Sequence, residues 1–545
     1  TPQPPKTIKP HTYLAAIEKG WTPSTLIWDV PTEFPPSTDP NDTNPNYVPV
    51  NYDEKFHGPV TVRSALANSY NIPAVKTLEF VGIYDDPNTQ AEDGLISFAR
   101  RLGITSLTRG DYGLSLTLGG GEISLMEMTS AFGIFANEGR RLPPVAINKI
   151  VDHSGNVIFE YEPPVGDQLV RVEHAYLISS ILSDTNARIP MFGTNPVINL
   201  AFPVAVKTGT TNDFRDNWTI GYTPDLVVGV WVGNTDYSPM INTTGLTGAG
   251  PIWADFMTLA INRLKGGTPS TFIRPPGVVD RVICSISGTE PSEWCPEQRS
   301  EIFAADQGPL PKSEDLWQKV AIDTWTGLAV SEACEEFNDE KFSLNVQDPW
   351  AMRWLKDNPD GIAWAERMGF SSPLFFTPQR SCRADDPRPI INLTGITDGD
   401  TIKANPLVIT GMITATQNFD YYRIEWGKGS EPLTWDVLVE DVHTPQETPG
   451  VLYEWDLEEI EPGTITLKFT IHSTEDTYAE KLISLNIELP TPTPTETSTP
   501  TETPTPSPTP TQTSSVMPSI TVTPQPQPSQ TPSPTASPTT IQIGP

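Results

Sequence analysis

The chain has 545 residues, with 35 Lys and Arg against 67 Asp and Glu, for a formal net charge of −32. So few cations exclude a nucleic-acid binder, which needs a cationic face to displace counterions, and equally a polybasic membrane-surface protein. No run reaches the ~20 apolar residues of a spanning helix. The first residue is Thr1 and no signal peptide is visible, so the chain is expected to be a processed or truncated piece whose anchor or address lies outside it.

From Thr1 to about Gly267, helical and strand patterns mix. Helical periodicity covers Ile8–Lys19, Thr61–Ala67, Pro73–Val81, Leu95–Leu102, Ile123–Asn137, Ala175–Ser183 and Ile252–Leu264. Strand patterns cover Phe202–Thr208, Asn217–Tyr222 and Leu226–Val232. The last two are joined by the turn Thr223-Pro224-Asp225, which predicts an antiparallel meander. Residues 268–386 form a connector with Cys284, Cys295, Cys334 and Cys382. No C-x₂-C pair exists, which argues against structural zinc; two disulfides, most simply Cys284–Cys295 and Cys334–Cys382, suit an oxidising compartment.

Residues 387–489 read as short β-runs at Leu407–Gly411, Tyr421–Trp426, Leu452–Leu457, Thr464–His472 and Ala479–Glu488. Their even spacing between turn residues predicts a β-sandwich. At Pro490 the composition changes to Thr, Pro, Ser and Gln. Residues 490–545 have little to bury and are expected to form a disordered stalk.

Lys207-Thr208-Gly209 alone is a weak signal, no more than a strand end and a turn. Its company changes the odds. Ser69-Tyr70-Asn71 lies between two helical patterns, and Lys9 opens the N-terminal helix. The order is that of the S-x-x-K, S-D-N and K-T-G set of penicillin-binding proteins and class A β-lactamases. The stretches Pro49–Arg63 and Ala65–Val75 resemble the approach to the second motif in class A penicillin-binding proteins. Lys207–Trp218, Val230–Asn234 and Gly248–Trp253 resemble the third motif and the strand and helix after it. The resemblance covers Thr1 to about Gly267; the rest is similar to the tail of the 1C-type subgroup.

That resemblance implies an α/β (α+β) penicillin-binding transpeptidase fold: an antiparallel sheet flanked by helices, without its N-terminal strands, followed by a β-sandwich. It implies a DD-transpeptidase that cleaves the D-Ala-D-Ala bond of a peptidoglycan stem peptide and passes the acyl group to an amine. It needs no cofactor or metal. Such chemistry requires a nucleophile, a base, a proton relay and an oxyanion hole. By resemblance Lys9 is the amine base, its pKa lowered by burial and by Lys207 as second cation. Ser69 relays the proton and Asn71 holds the substrate amide. Thr208 and Thr210 bind the stem-peptide carboxylate, Gly209 lets the acyl chain lie on the strand, and the Thr210 N–H is half of the oxyanion hole.

One residue departs from the pattern. Three positions before Lys9 the serine nucleophile is replaced by Lys6, and Pro-Gly-Ser reads Pro4-Pro5-Lys6. Lys6 cannot form the acyl ester, and it crowds three ammonium groups into one pocket. Lys6 reads equally as part of a mis-called start or as true divergence, and two readings of function stay open: the transpeptidase portion of a bifunctional synthase, or a catalytically dead scaffold that binds wall or partner proteins through the sandwich. A serine carboxypeptidase or β-lactamase-type hydrolase is disfavoured. Implied partners are stem peptides, glycan, β-lactams and cell-wall synthesis proteins; the implied location is extracytoplasmic, with an N-terminal anchor outside this chain. His57 and His11 read as isolated and Glu122 as a helix-start acid; the tryptophans read as packing and surface aromatics, with glycan contact by Trp325 and Trp350 as the alternative.

Overall fold

The computed structural model describes residues 6–36, 43–89, 91–211 and 214–490; Pro4, Pro5 and the Thr/Pro-rich tail from Thr491, with the stalk expected there, lie outside them. Helix α1 (Lys9–Glu18) is the centre of the first region, with every residue from Lys9 to Ile17 buried. A helix buried on all sides belongs inside a domain, and α1 packs against α2 (Val62–Ala67), α3 (Asn71–Val81) and α4 (Leu95–Arg101). Thr61 caps α2 by accepting from the Ser64 N–H. Ser124 and Glu127 form a reciprocal capping box at α5 (Leu125–Ala136). That box, and not Glu122, supplies the helix-start acid. Helix α6 (Val172–Ser183) lies next along the chain.

The expected meander is present. Strands β3 (Ala205–Thr210), β4 (Asp216–Thr223) and β5 (Leu226–Gly233) form an antiparallel sheet with β4 in the middle and buried throughout. The first strand starts three residues later than its apolar run predicts, past Pro203, and carries Lys207–Thr210 inside the ladder. Helix α5 packs on one part of the sheet and α7 (Gly250–Lys265) on another. At Gly221 a Cβ would lie 2.4 Å from the Trp253 ring of α7, so only glycine admits that contact. Two four-residue strands, β1 (Leu26–Asp29) and β2 (Gly58–Thr61), pair antiparallel beside this core. They are too short to show a periodicity.

The connector is structured. Hairpins β6 (Val278–Cys284)–β7 (Gln298–Ala304) and β8 (Trp317–Asp323)–β9 (Asn338–Leu344) are followed by helices α8 (Pro349–Asp357) and α9 (Pro359–Arg367). Both expected disulfides, Cys284–Cys295 and Cys334–Cys382, are formed. The connector also shares interior with its neighbours. Trp28 and Val30 share a core with Cys284, Trp317, Trp354 and Trp364. Gln307 Nε2 donates to Ile17 O and Trp21 O at 2.8 and 2.7 Å. Trp325 is a packing aromatic, 3% exposed in the core of the β-sandwich, which leaves no room for the alternative of glycan contact there, and Trp350 lies beneath the Arg353 guanidinium at 4.7 Å.

That sandwich packs a three-stranded sheet of β10 (Pro389–Thr394), β12 (Leu407–Ala415) and β15 (Gln446–Trp455) on a five-stranded one. The second sheet has the order β11 (Thr401–Ile402), β17 (Tyr478–Ile487), β16 (Gly463–Ser473), β13 (Phe419–Lys428), β14 (Asp436–Val442).

One buried ion pair ties the connector to the first region. Arg63 of α2 donates to both oxygens of Glu301 on β7, at 2.6–3.0 Å, and reaches Asp184 at 3.3 Å. Glu301 is 4% exposed and its pKa is lowered against the pull of burial, chiefly by Arg63. Glu301→Ala leaves a buried guanidinium short of its main partner and is expected to cost about 3–5 kcal/mol. Thermal unfolding checks this; Glu301→Gln, which keeps hydrogen bonding, is expected to lose less.

Candidate active site

Three separate pieces of chain converge beside the start of α1. A turn at Lys6–Ile8 leads into the helix, where Pro10 is tolerated because its missing N–H would be unsatisfied there anyway. This puts Lys9 wholly inside. Its Nζ donates to Ser69 O at 2.7 Å, Tyr70 O at 2.9 Å and Asn71 Oδ1 at 2.9 Å, and lies 3.5 Å from Ser69 Oγ. The second piece is the short loop between α2 and α3. Ser69 has φ 58°, a left-handed conformation that a non-glycine residue holds only when its surroundings enforce it. The third is β3, from which Lys207 Nζ donates to Ser69 Oγ at 2.6 Å and to Thr208 O at 2.8 Å. The Ser69 hydroxyl therefore stands between two amines.

The charges in this cluster are poorly compensated. Burial, then the Lys6 and Lys207 ammonium groups, hold the Lys9 pKa well below its ordinary value, while Asp29 pulls the other way. Burial, Lys6 and Arg188 push Lys207 down to about 7, and burial alone pushes Lys6 to about 8. Arg188 is itself buried, with its guanidinium on Leu182 O. A lysine amine near neutral pH, hydrogen-bonded to a hydroxyl, can exchange a proton with it.

A cleft of about 270 Å³ opens beside the cluster, lined by Lys6, Tyr52, Ser69, Thr208, Gly209 and Thr210 and also by Asn242, Thr244 and Thr247. Gly245 approaches so closely that a Cβ there would lie 2.5 Å from Gly209 O, and its N–H donates to Thr210 Oγ1 at 3.0 Å. The structure thus brings together Lys9, Ser69, Asn71 and Lys207, with Thr208, Gly209 and Thr210 on the cleft wall. Asn71 differs from expectation in one respect. It is 6% exposed, its Oδ1 takes Lys9, and its Nδ2 donates to Val50 O at 2.6 Å, so its amide anchors the lysine rather than facing a ligand.

A supporting network goes beyond the motif residues. Buried Asp29 accepts from Asn51 Nδ2 at 2.8 and 3.0 Å and pairs with His57 Nδ1 at 2.6 Å. Asn51 Oδ1 in turn accepts the Asn71 N–H at 2.7 Å. His57 is therefore not isolated. Burial opposes its protonation, but Asp29 and Asp53 outweigh that and raise its pKa, and its ring stacks on Tyr70 at 3.9 Å. The only sequence signal for this network is that Asn51 and His57 fall inside Pro49–Arg63. His11 is a packing residue among Phe132 and Phe135, with burial pushing its pKa to about 4.

Comparison with known proteins matches residues 3–258 to the penicillin-binding protein transpeptidase domain. Over that span the chain belongs to the penicillin-binding transpeptidase family. Residues 274–312 match the C-terminal domain of penicillin-binding protein 1A, where the sequence suggests a 1C-type tail. Penicillin-binding protein 2D of Bacillus subtilis is 31% identical over 353 residues, covering 60% of this chain and 47% of that protein. Penicillin-binding protein 1A of Aquifex aeolicus is 36% identical over 260 residues, covering 47% and 32%. The crystal structure of penicillin-binding protein 1A from Haemophilus influenzae aligns with a TM-score of 0.47 at 25% identity, covering 56% of this chain and 48% of that one. The chain spans about a third to a half of the length of these curated relatives.

In the transpeptidase cluster, Lys207 links stability to pH. It binds its proton with a pKa of about 7 when folded, against an ordinary 10.5. Between those values the unfolded chain holds a proton that the native state lacks, so this residue's contribution to stability climbs as pH rises. The melting temperature of the wild type relative to Lys207→Met is expected to improve from pH 6.5 to pH 9. A difference that stays constant with pH would show that Lys207 is charged in the native cluster.

Proposed function

We propose that the transpeptidase cleft of this chain binds peptidoglycan stem peptides without forming an acyl ester. The observation that carries this reading is Lys6. It lines the cleft at the place where the family motif has its serine, while the Lys9–Ser69–Lys207 cluster behind it is complete. An acyl-enzyme needs a hydroxyl or thiol that can attack and later leave. An amine held as an ammonium is no nucleophile, and an amide formed from it would not turn over. The carboxypeptidase and β-lactamase-type readings fail on the same atom.

Peptidoglycan cross-linking by a bifunctional synthase is proposed for the longer protein only; the match to the transpeptidase domain supports it. In this chain the cleft walls would keep their binding roles. Thr208 and Thr210 would receive a carboxylate, and Gly209 would admit the peptide backbone against β3. Extracytoplasmic placement belongs to the same proposal; two disulfides support it, since such bonds persist in oxidising compartments. A role for the β-sandwich in holding cell-wall synthesis proteins is likewise a proposal.

Intact-mass spectrometry after incubation with benzylpenicillin tests the reading. The wild type is expected to gain no mass, and Lys6→Ser to gain one penicilloyl group. A penicilloyl adduct on the wild type, for example on Ser69, would overturn the claim that the site cannot acylate. No adduct on Lys6→Ser would count against a transpeptidase geometry in the cluster.

A further inference from the structure

The lysine that removes the nucleophile also adds a cation. Among the described residues Lys6 is the one charged side chain lining the cleft, and none of the lining residues is acidic, in a chain with 67 Asp and Glu against 35 Lys and Arg. Among the described residues no carboxylate pairs with it. Its Nζ lies 5.9 Å from the centroid of the Tyr52 ring, itself on the cleft wall. The side chain reaches three heavy atoms further than serine, and its ammonium is repelled by the two further amines of the cluster. The remaining polar lining is mostly hydroxyl and amide: Ser69, Thr208, Thr210, Asn242 and Thr244. A partly desolvated ammonium ringed by neutral donors is a site for an anion.

The identity of that anion rests on the stem-peptide reading of the cleft. A stem peptide presents one of two ends. The uncleaved end carries a neutral amide carbonyl at the bond a serine would attack, with its carboxylate one residue further along β3. The trimmed end, from which the last D-Ala has been removed, carries a carboxylate at that same carbon. Serine at position 6 would suit the first. An ammonium donates a charge-assisted hydrogen bond to either oxygen, but only the carboxylate adds the attraction of a full opposite charge, which is strong where water is partly excluded. We infer that the cleft selects stem peptides already trimmed to a free carboxylate at the former scissile carbon, with Lys6 as the residue that pairs with it. The chain would then recognise the product of a peptidase that hydrolyses off the last D-Ala, with water taking the acyl group, rather than that peptidase's substrate.

Calorimetric titration of the whole chain with diacetyl-Lys-D-Ala and with diacetyl-Lys-D-Ala-D-Ala tests this. The trimmed peptide is expected to bind at least tenfold more tightly. Lys6→Ala is expected to erase the difference and Lys6→Arg to keep it. Equal affinities in the wild type, tighter binding of the uncleaved peptide, or a preference that survives in Lys6→Ala would each overturn the inference while leaving the cleft a stem-peptide site. Binding of neither peptide to the wild type or to Lys6→Ala would instead sink the stem-peptide reading itself, and the selection with it.

Discussion

The geometry of this site depends on one constraint: two lysine amines must be held inside the protein around a single hydroxyl. Lys9 and Lys207 both reach Ser69, and among the described residues neither has a carboxylate within hydrogen-bonding distance. A buried ammonium is costly unless its donors are satisfied. The chain meets that demand with carbonyl oxygens. Ser69 O, Tyr70 O and the Asn71 side chain surround Lys9, and Thr208 O serves Lys207. The left-handed backbone at Ser69 and the short loop between α2 and α3 answer that requirement, because the loop must turn its carbonyls inward.

The rest of the fold secures the loop. Asp29 on β1 holds Asn51, Asn51 holds the Asn71 N–H, and Asn71 holds Lys9. The β1–β2 pair and the extended stretch between its strands are thus linked to the amines by a chain of three side chains. Arg63, near the start of α2, is fastened by Glu301 of the connector. The connector therefore reaches the helix that leads into the Ser69 loop, and a mutation on β7 can be felt there. Lys6 adds to the crowding of cations and lines the cleft beside them.

Much of this is legible in sequence. Helix α1, the meander, both disulfides, the sandwich and the convergence of Lys9, Ser69 and Lys207 are readable from periodicity, turn residues and motif order. The replacement at position 6 follows from the family resemblance, once its S-x-x-K motif is laid on Lys9. What is not legible has physical reasons. Strands β1 and β2 have four residues each and pair across nearly thirty intervening positions, so no local pattern marks them. The connector hairpins are charge-rich, as in Asn338–Leu344, and their buried side is contributed by tryptophans far along the chain. Trp325 reads as a surface aromatic in sequence because its partners lie in the sandwich. The inward-turned Asn71 amide depends on Val50 and Asn51, contacts that the motif itself does not encode.

The most direct test of the cluster is to titrate its amines. NMR of the chain carrying ¹³C at the lysine ε-carbons reads each protonation individually, with Lys6→Ser, Lys9→Ala and Lys207→Met as assignment variants. The account expects Lys207 to titrate near 7, Lys6 near 8 and Lys9 well below the ordinary lysine range. It further expects Lys207 to move upward in Lys6→Ser. Titration of all three near 10.5, or a Lys207 indifferent to residue 6, would contradict it, because the amines would then not share one buried, uncompensated site.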